Sequence, residues 1–206
     1  MMYYFRVGGP LMWILLALSI IALAVAMERL FFFFRKEKSS NRNFRNEVIM
    51  AVANKDMCKI NEICDKERNS VGCIVKKFLH RCNICDTDPK DFHHFDQIIK
   101  EIEMDEISQL EKRLHILGII AQIAPMLGLL GTVTGMIDAF RDMSIFGAGD
   151  PTVVADSISK ALITTAAGLS IAIPSLVVYN MLNKRIEEIE EEINKITTNV
   201  INIVRG

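Results

Sequence analysis

Apolar residues fall in blocks along this chain. Val7 to Met27, Leu114 to Ile137 and Ala161 to Asn183 contain no Asp, Glu, Lys or Arg. A helix rises 1.5 Å per residue and a bilayer core is ~30 Å thick, so about 20 residues suffice to cross it. Each run is long enough. They predict an all-α integral membrane protein with transmembrane helices in 1–34, 114–137 and 161–183. The stretch 35–113 reads as a helical cytoplasmic domain, 138–160 as an external loop and 184–206 as a cytoplasmic helical tail. The first run is too long for a signal-peptide core. It continues through "ERLFFFF" into "RKEK" without a small-residue cleavage site.

Finer periodicity lies inside these blocks. In the second run Gly118, Ala121, Pro125, Gly128, Thr132, Gly135 and Ala139 recur at alternating three- and four-residue steps, which places them on one helix face. In the third run Ala161, Thr165, Gly168, Ala172 and Ser175 do the same. Every residue is small or is proline. Such stripes let helix backbones approach closely within a membrane. The third stripe continues through Tyr179, Leu182, Ile186, Ile189, Ile193, Ile196, Val200 and Ile203. Its residues become large where water replaces lipid, because burying apolar surface drives association there. One helix of about 45 residues, ~65 Å long, is predicted, with Ile186, Ile189, Ile193 and Ile196 at subunit contacts in the tail. Upstream, Pro89 breaks the chain. Phe92, Phe95, Ile98, Ile99 and Ile102 then show helical spacing, and this helix is expected to run on into the second span, so the second and third membrane helices both extend into the cytoplasm.

Two hydroxyls sit on the membrane stripes, Thr132 and Thr165. Thr132 lies six residues from Asp138 and Thr165 five from Lys160. On upright antiparallel helices their depths would differ by only ~2 Å. The competing role is local: a threonine can donate to a carbonyl three or four residues earlier, as expected for the off-stripe Thr134 and Thr164. Spacing alone does not choose between the two.

Charge and cysteine content narrow the function. The formal net charge is −1, which offers no reason to expect nucleic-acid binding. Arg29, Arg35, Lys36 and Lys38 follow the first span, and Lys184 and Arg185 follow the third, while only Arg6 precedes the first. The positive-inside rule therefore places the N-terminus outside and the C-terminus in the cytoplasm. All five cysteines fall in the cytoplasmic segment, where thiols stay reduced. Cys82 and Cys85 form a C-x-x-C pair with His80, His93 and His94 nearby. A single such pair without a matching second pair is weak evidence for zinc, so no metal or cofactor is expected. No catalytic constellation accompanies them, and an enzyme is not expected.

The segments "APMLGLLGTVTGMIDAF" and "ISKALITTAAGLSIAIPSLVVYN" resemble the two signature spans of the MotA/TolQ/ExbB proton-channel family, most closely its ExbB/TolQ branch. MotA-type stators normally have four spans, so three favour ExbB or TolQ. The resemblance implies a homopentamer in the bacterial inner membrane around single-span ExbD/TolR-like helices. It implies that the complex spends an ion gradient on a TonB- or TolA-like protein, in the ExbB case to energise transport across the outer membrane. The family's channel threonines fall on Thr132 and Thr165. Neither the second nor the third run contains a carboxylate, and a proton relay through a bilayer usually requires an ionisable group. That group is expected from the partner, in agreement with the family's ExbD/TolR aspartate. Many relatives carry glutamate where this chain has Lys160, which either pairs with Asp156 one turn away or snorkels outwards. A TolQ-like role in envelope integrity and a non-conducting membrane scaffold are the alternative readings.

Overall fold

The computed structural model describes residues 9–37, 42–54, 56–66, 69–81, 92–146 and 151–205. Its regular structure there is helical throughout: α1 (Gly9–Lys36), α2 (Arg42–Ala53), α3 (Met57–Lys66), α4 (Ser70–Arg81), α5 (Phe92–Glu111), α6 (Leu114–Phe146) and α7 (Pro151–Arg205). Three stretches are long and apolar enough to cross a membrane: Gly9–Arg35, Leu114–Ile145 and Val154–Ile203. They confirm the expected fold class, an all-helical membrane protein. The chain divides into two compact units. One, the membrane unit, holds α1 to Arg29 together with Arg113–Met181. The other, the bundle unit, holds Leu30–Lys112 and the α7 tail from Leu182.

Within the membrane unit α1 packs through Met12, Leu15 and Ala22, which meet Leu117, Ile120 and Ala124 of α6 and Ala172 of α7 in two apolar clusters. The side of α1 that carries Trp13, Ile20, Leu23 and Met27 is at least 60% exposed at each of these residues. A face of large apolar side chains in that state suits an apolar surrounding such as a bilayer.

The bundle unit has a water-soluble logic. Phe44, Val48, Ile60, Ile74, Phe78, Ile99, Ile102, Ile193 and Ile196 form one buried core. Local chemistry begins its short helices. Asp56 accepts from the Lys59 amide at the start of α3, and Asn69 accepts from the Gly72 amide at the start of α4. Each satisfies an amide that has no partner within its own helix. Glu37, just past the end of α1, accepts from both the Ser70 amide and the Ser70 hydroxyl, which also places a carboxylate at the positive end of α4.

The structure corrects three expectations. First, α5 does not run on into the second span. It stops at Glu111, and Arg113 takes a left-handed backbone with φ of 68° before α6 starts at Leu114. Left-handed geometry is unfavourable for a residue with a Cβ, and it interrupts the helix between Glu111 and Leu114. The Arg113 guanidinium pairs with the Glu28 carboxylate of α1. Second, 138–160 is helical for most of its length, since α6 continues to Phe146 and α7 begins at Pro151. Proline suits a first helical position because it lacks only an amide that would go unpaired there. Third, Ile186, Ile193 and Ile196, expected at subunit contacts, are buried within this chain, at 3%, 0% and 0% exposure. The three short helices α2 to α4, together with α5, cover the tail face that periodicity assigns to other copies. Ile189 is half-buried against the same core.

Ile193→Ala should therefore destabilise the bundle unit by about 2–5 kcal/mol, the usual cost of truncating a buried isoleucine. Hydrogen exchange should accelerate across α4 and α5. Ile203→Ala, at a 37% exposed position on the same helix, should change little. Equal effects would show that Ile193 does not pack within its own chain.

Candidate functional site

The two small-residue stripes meet each other within one chain. Gly128 lies so close to α7 that a Cβ added there would sit 3.0 Å from the Thr165 Cα. A Cβ on Gly168 would sit 2.5 Å from the Ala124 carbonyl oxygen. Backbone meets backbone at these two glycines, so no larger residue fits without separating the helices. Further along, Gly135 faces Ala161 and the Ser157 carbonyl, and at the other end Gly118 faces the Tyr179 ring. Ala121, Ala139, Ala161, Ala172 and Ser175 are buried, and Pro125 is half-buried.

Thr165 uses its hydroxyl across this contact. It donates to the Gly128 carbonyl on α6 at 2.8 Å. Thr132 behaves locally, donating to the Leu129 carbonyl of its own helix at 2.7 Å. The off-stripe threonines also donate locally, Thr134 to Leu130 and Gly131, and Thr164 to Lys160. Both Thr132 and Thr165 are half-buried. Their relative depth differs from the expected ~2 Å. Thr165 is level with Gly128, which puts Thr132 about one helical turn, roughly 5 Å, further along. The expectation took Asp138 and Lys160 as matching helix ends. The contact of Gly135 with Ala161 shows that they are not level.

Spacing passed over several residues of this interface. Gly131 faces Thr164, where an added Cβ would lie 2.6 Å from the threonine methyl. Thr164 is 3% exposed and Ala124 fully buried. Their signal was the G-x-x-x-G pair of Gly131 and Gly135, which marks a broader contact strip than one stripe. Ser157 adds a polar link, donating to the Asp142 carboxylate of α6. Lys160 pairs with Asp156 at 2.5 Å, one turn back on the same helix.

This arrangement can hold two helices at close range and satisfy its hydroxyls. It cannot itself ionise between Leu114 and Ile137 or between Ala161 and Asn183 by way of a carboxylate, lysine or arginine. Among the described residues no three His, Cys, Asp or Glu side chains come together as a metal site. Cys82 and Cys85 lie outside the described residues, as do the side chains of His93 and His94, and His80 is exposed. Burial pushes the Cys64 thiol up to about 11, which leaves it inert at neutral pH.

Comparison with known proteins adds to this geometry. The model of a family described as the MotA/TolQ/ExbB proton channel family matches residues 66–195. An ExbB-like biopolymer transport protein of Synechocystis sp. is 36% identical over 182 residues, 86% of this chain and 68% of its own length. A Tol-Pal system protein TolQ of Haemophilus influenzae is 44% identical over 89 residues, 42% of this chain and 38% of its own. A biopolymer transport protein ExbB of Helicobacter pylori is 42% identical over 83 residues, 40% of this chain and 57% of its own.

Gly168→Ala should force the α6–α7 pair apart, because its Cβ meets a backbone oxygen that has nowhere to go. Destabilisation of about 1–3 kcal/mol is expected, as for overpacking elsewhere, with loss of folded protein in detergent. Ala166→Val, on the exposed side of the same helix, should be tolerated. A fully stable Gly168→Ala protein would contradict the close contact.

Proposed function

The chain belongs to the MotA/TolQ/ExbB proton channel family, and on that premise we propose that it is an ExbB-like subunit of an ion-driven complex in the bacterial inner membrane. It assembles as a homopentamer around single-span ExbD-like helices. With them it couples the ion gradient to a TonB-like protein and so energises transport across the outer membrane. The N-terminus faces the periplasm and the C-terminus the cytoplasm, which places the bundle unit on the basic, cytoplasmic side. The protein is not an enzyme and needs no cofactor.

One observation carries the division of labour. The second and third spans bring hydroxyls into the membrane but no carboxylate. The titrating group then belongs to the partner helix, whose aspartate would be oriented by Thr132, Thr165 or bridging water. The remaining stripe residues set how closely the helices surrounding that partner can pack. Each charge moved through the membrane potential is worth about 2.3 kcal/mol per 100 mV, so several protons supply useful work. The 44% identity to a TolQ over 89 residues favours a second reading, a TolQ-like role in envelope integrity acting on a TolA-like protein.

The test is proton flux in vesicles containing this chain and its ExbD-like partner, alongside TonB-dependent uptake and detergent resistance in cells. Thr132→Val and Thr165→Val should abolish flux, and Thr134→Val should be far milder. Because Thr165 also bonds to Gly128, Thr165→Ser is the control that keeps a hydroxyl and should restore flux. Complexes that assemble without conducting would leave a scaffold. Loss of detergent resistance with uptake intact would favour the TolQ-like role.

Lys160 supplies a further check. Its ion pair with Asp156 neutralises a cation five residues before Thr165. Asp156→Asn would leave the ammonium unbalanced, and flux should fall severalfold. Lys160→Gln should restore it in the double variant. Unchanged flux in Asp156→Asn would place this pair away from the ion's route.

A further inference from the structure

The inner face of α5 carries two carboxylates among its apolar residues, and they are treated differently. Glu106 pairs with Lys77 of α4. Glu103, one turn earlier and half-buried, has one carboxylate oxygen that is fully buried and finds no donor among the described residues. Its neighbours Ile99 and Ile102 belong to the core that also holds Ile193 and Ile196 of the tail. The tail brings Glu190 towards it. The counter-charge acting on Glu103 is Lys100 of its own helix. Elsewhere in the bundle unit Lys77 is paired with Glu106, Arg185 with Glu188 and Lys195 with Glu191.

We propose that Glu103 makes the bundle unit a proton-responsive switch, in which uptake of a proton by this carboxylate tightens the contact between α5 and the α7 tail. As an anion, Glu103 leaves a desolvated oxygen without a donor and faces another carboxylate. Both are unfavourable. Protonation removes the repulsion and turns one oxygen into a donor.

The sign is fixed by the same groups. Burial, and then the charge of Glu190, push the Glu103 carboxyl above the ordinary 4.5, and Lys100 offsets this only in part. The closed bundle therefore binds the proton more tightly than the opened one. Its contact is weakest above the raised value and strengthens as pH falls through the window between that value and the ordinary one. On the channel reading above, such a group would register protons accumulating on the bundle's side of the membrane. The switch itself does not depend on that reading.

Hydrogen exchange on the full chain in nanodiscs tests this, with rates corrected for intrinsic exchange, between about pH 7.5 and about pH 5. Amides of 99–110 and 186–200 should exchange severalfold more slowly on acidification in the natural protein. Glu103→Gln should show the slow exchange already at neutral pH and lose most of the response. Glu190→Gln should shift the response towards lower pH. An unaltered pH response in Glu103→Gln would overturn the proposal. So would faster exchange of that variant at neutral pH, which would mean that the anion is stabilised, for instance by a base from another copy. No readout involves transport, so failure here leaves the channel reading intact, and failure of flux leaves this one intact.

Discussion

The contact between α6 and α7 is the constraint on which the membrane unit depends. Lipid tails are as apolar as leucine, so helices inside a bilayer gain little from hiding large side chains from each other. What remains is close packing and hydrogen bonding. Gly128 and Gly168 allow backbone to reach backbone, and the Thr165 hydroxyl crosses the resulting gap to the Gly128 carbonyl. The bond is short because the glycines are there, and the glycines are useful because the bond is available. The exposed sides of the same helices can then remain uniformly large and apolar, as Met126, Leu129, Ile173 and Val177 are.

The bundle unit obeys the opposite rule. There water is the solvent, and Ile193, Ile196 and Val200 of the same α7 are buried with side chains from α2 to α5. One helix thus carries two association chemistries along one face, small in lipid and large in water. The change of residue size is the physical record of a change of solvent. Short helices in this unit depend on caps, since helices of this length are marginal on their own. Asp56, Asn69 and Glu37 supply them.

Polar groups mark where each unit carries more than packing. In the membrane unit the hydroxyls of Thr132, Thr134, Thr164 and Thr165 each donate to a backbone carbonyl, so none of the four is left without a partner. In the bundle unit Glu106 is balanced and Glu103 is not. An unbalanced carboxylate in a partly buried place is a source of pH sensitivity, whereas a hydroxyl is not.

The three spans, their order and the small-residue stripes were legible in the sequence, because length and periodicity follow directly from helix geometry and bilayer thickness. The family was legible too, from the glycines, threonines and prolines around Thr132 and Thr165. Tertiary structure decided what those patterns touch. A stripe shows that a face is covered but not by what, and so the tail isoleucines were assigned to other copies when their own chain covers them. The register between α6 and α7 depends on which glycine admits which backbone, and that placed Thr165 beside Gly128 rather than level with Thr132. The end of α5 was hidden because Arg113 is an ordinary helix former by composition. It takes a left-handed backbone, and its pairing with Glu28 joins groups 85 positions apart in the chain, a separation that no local pattern encodes.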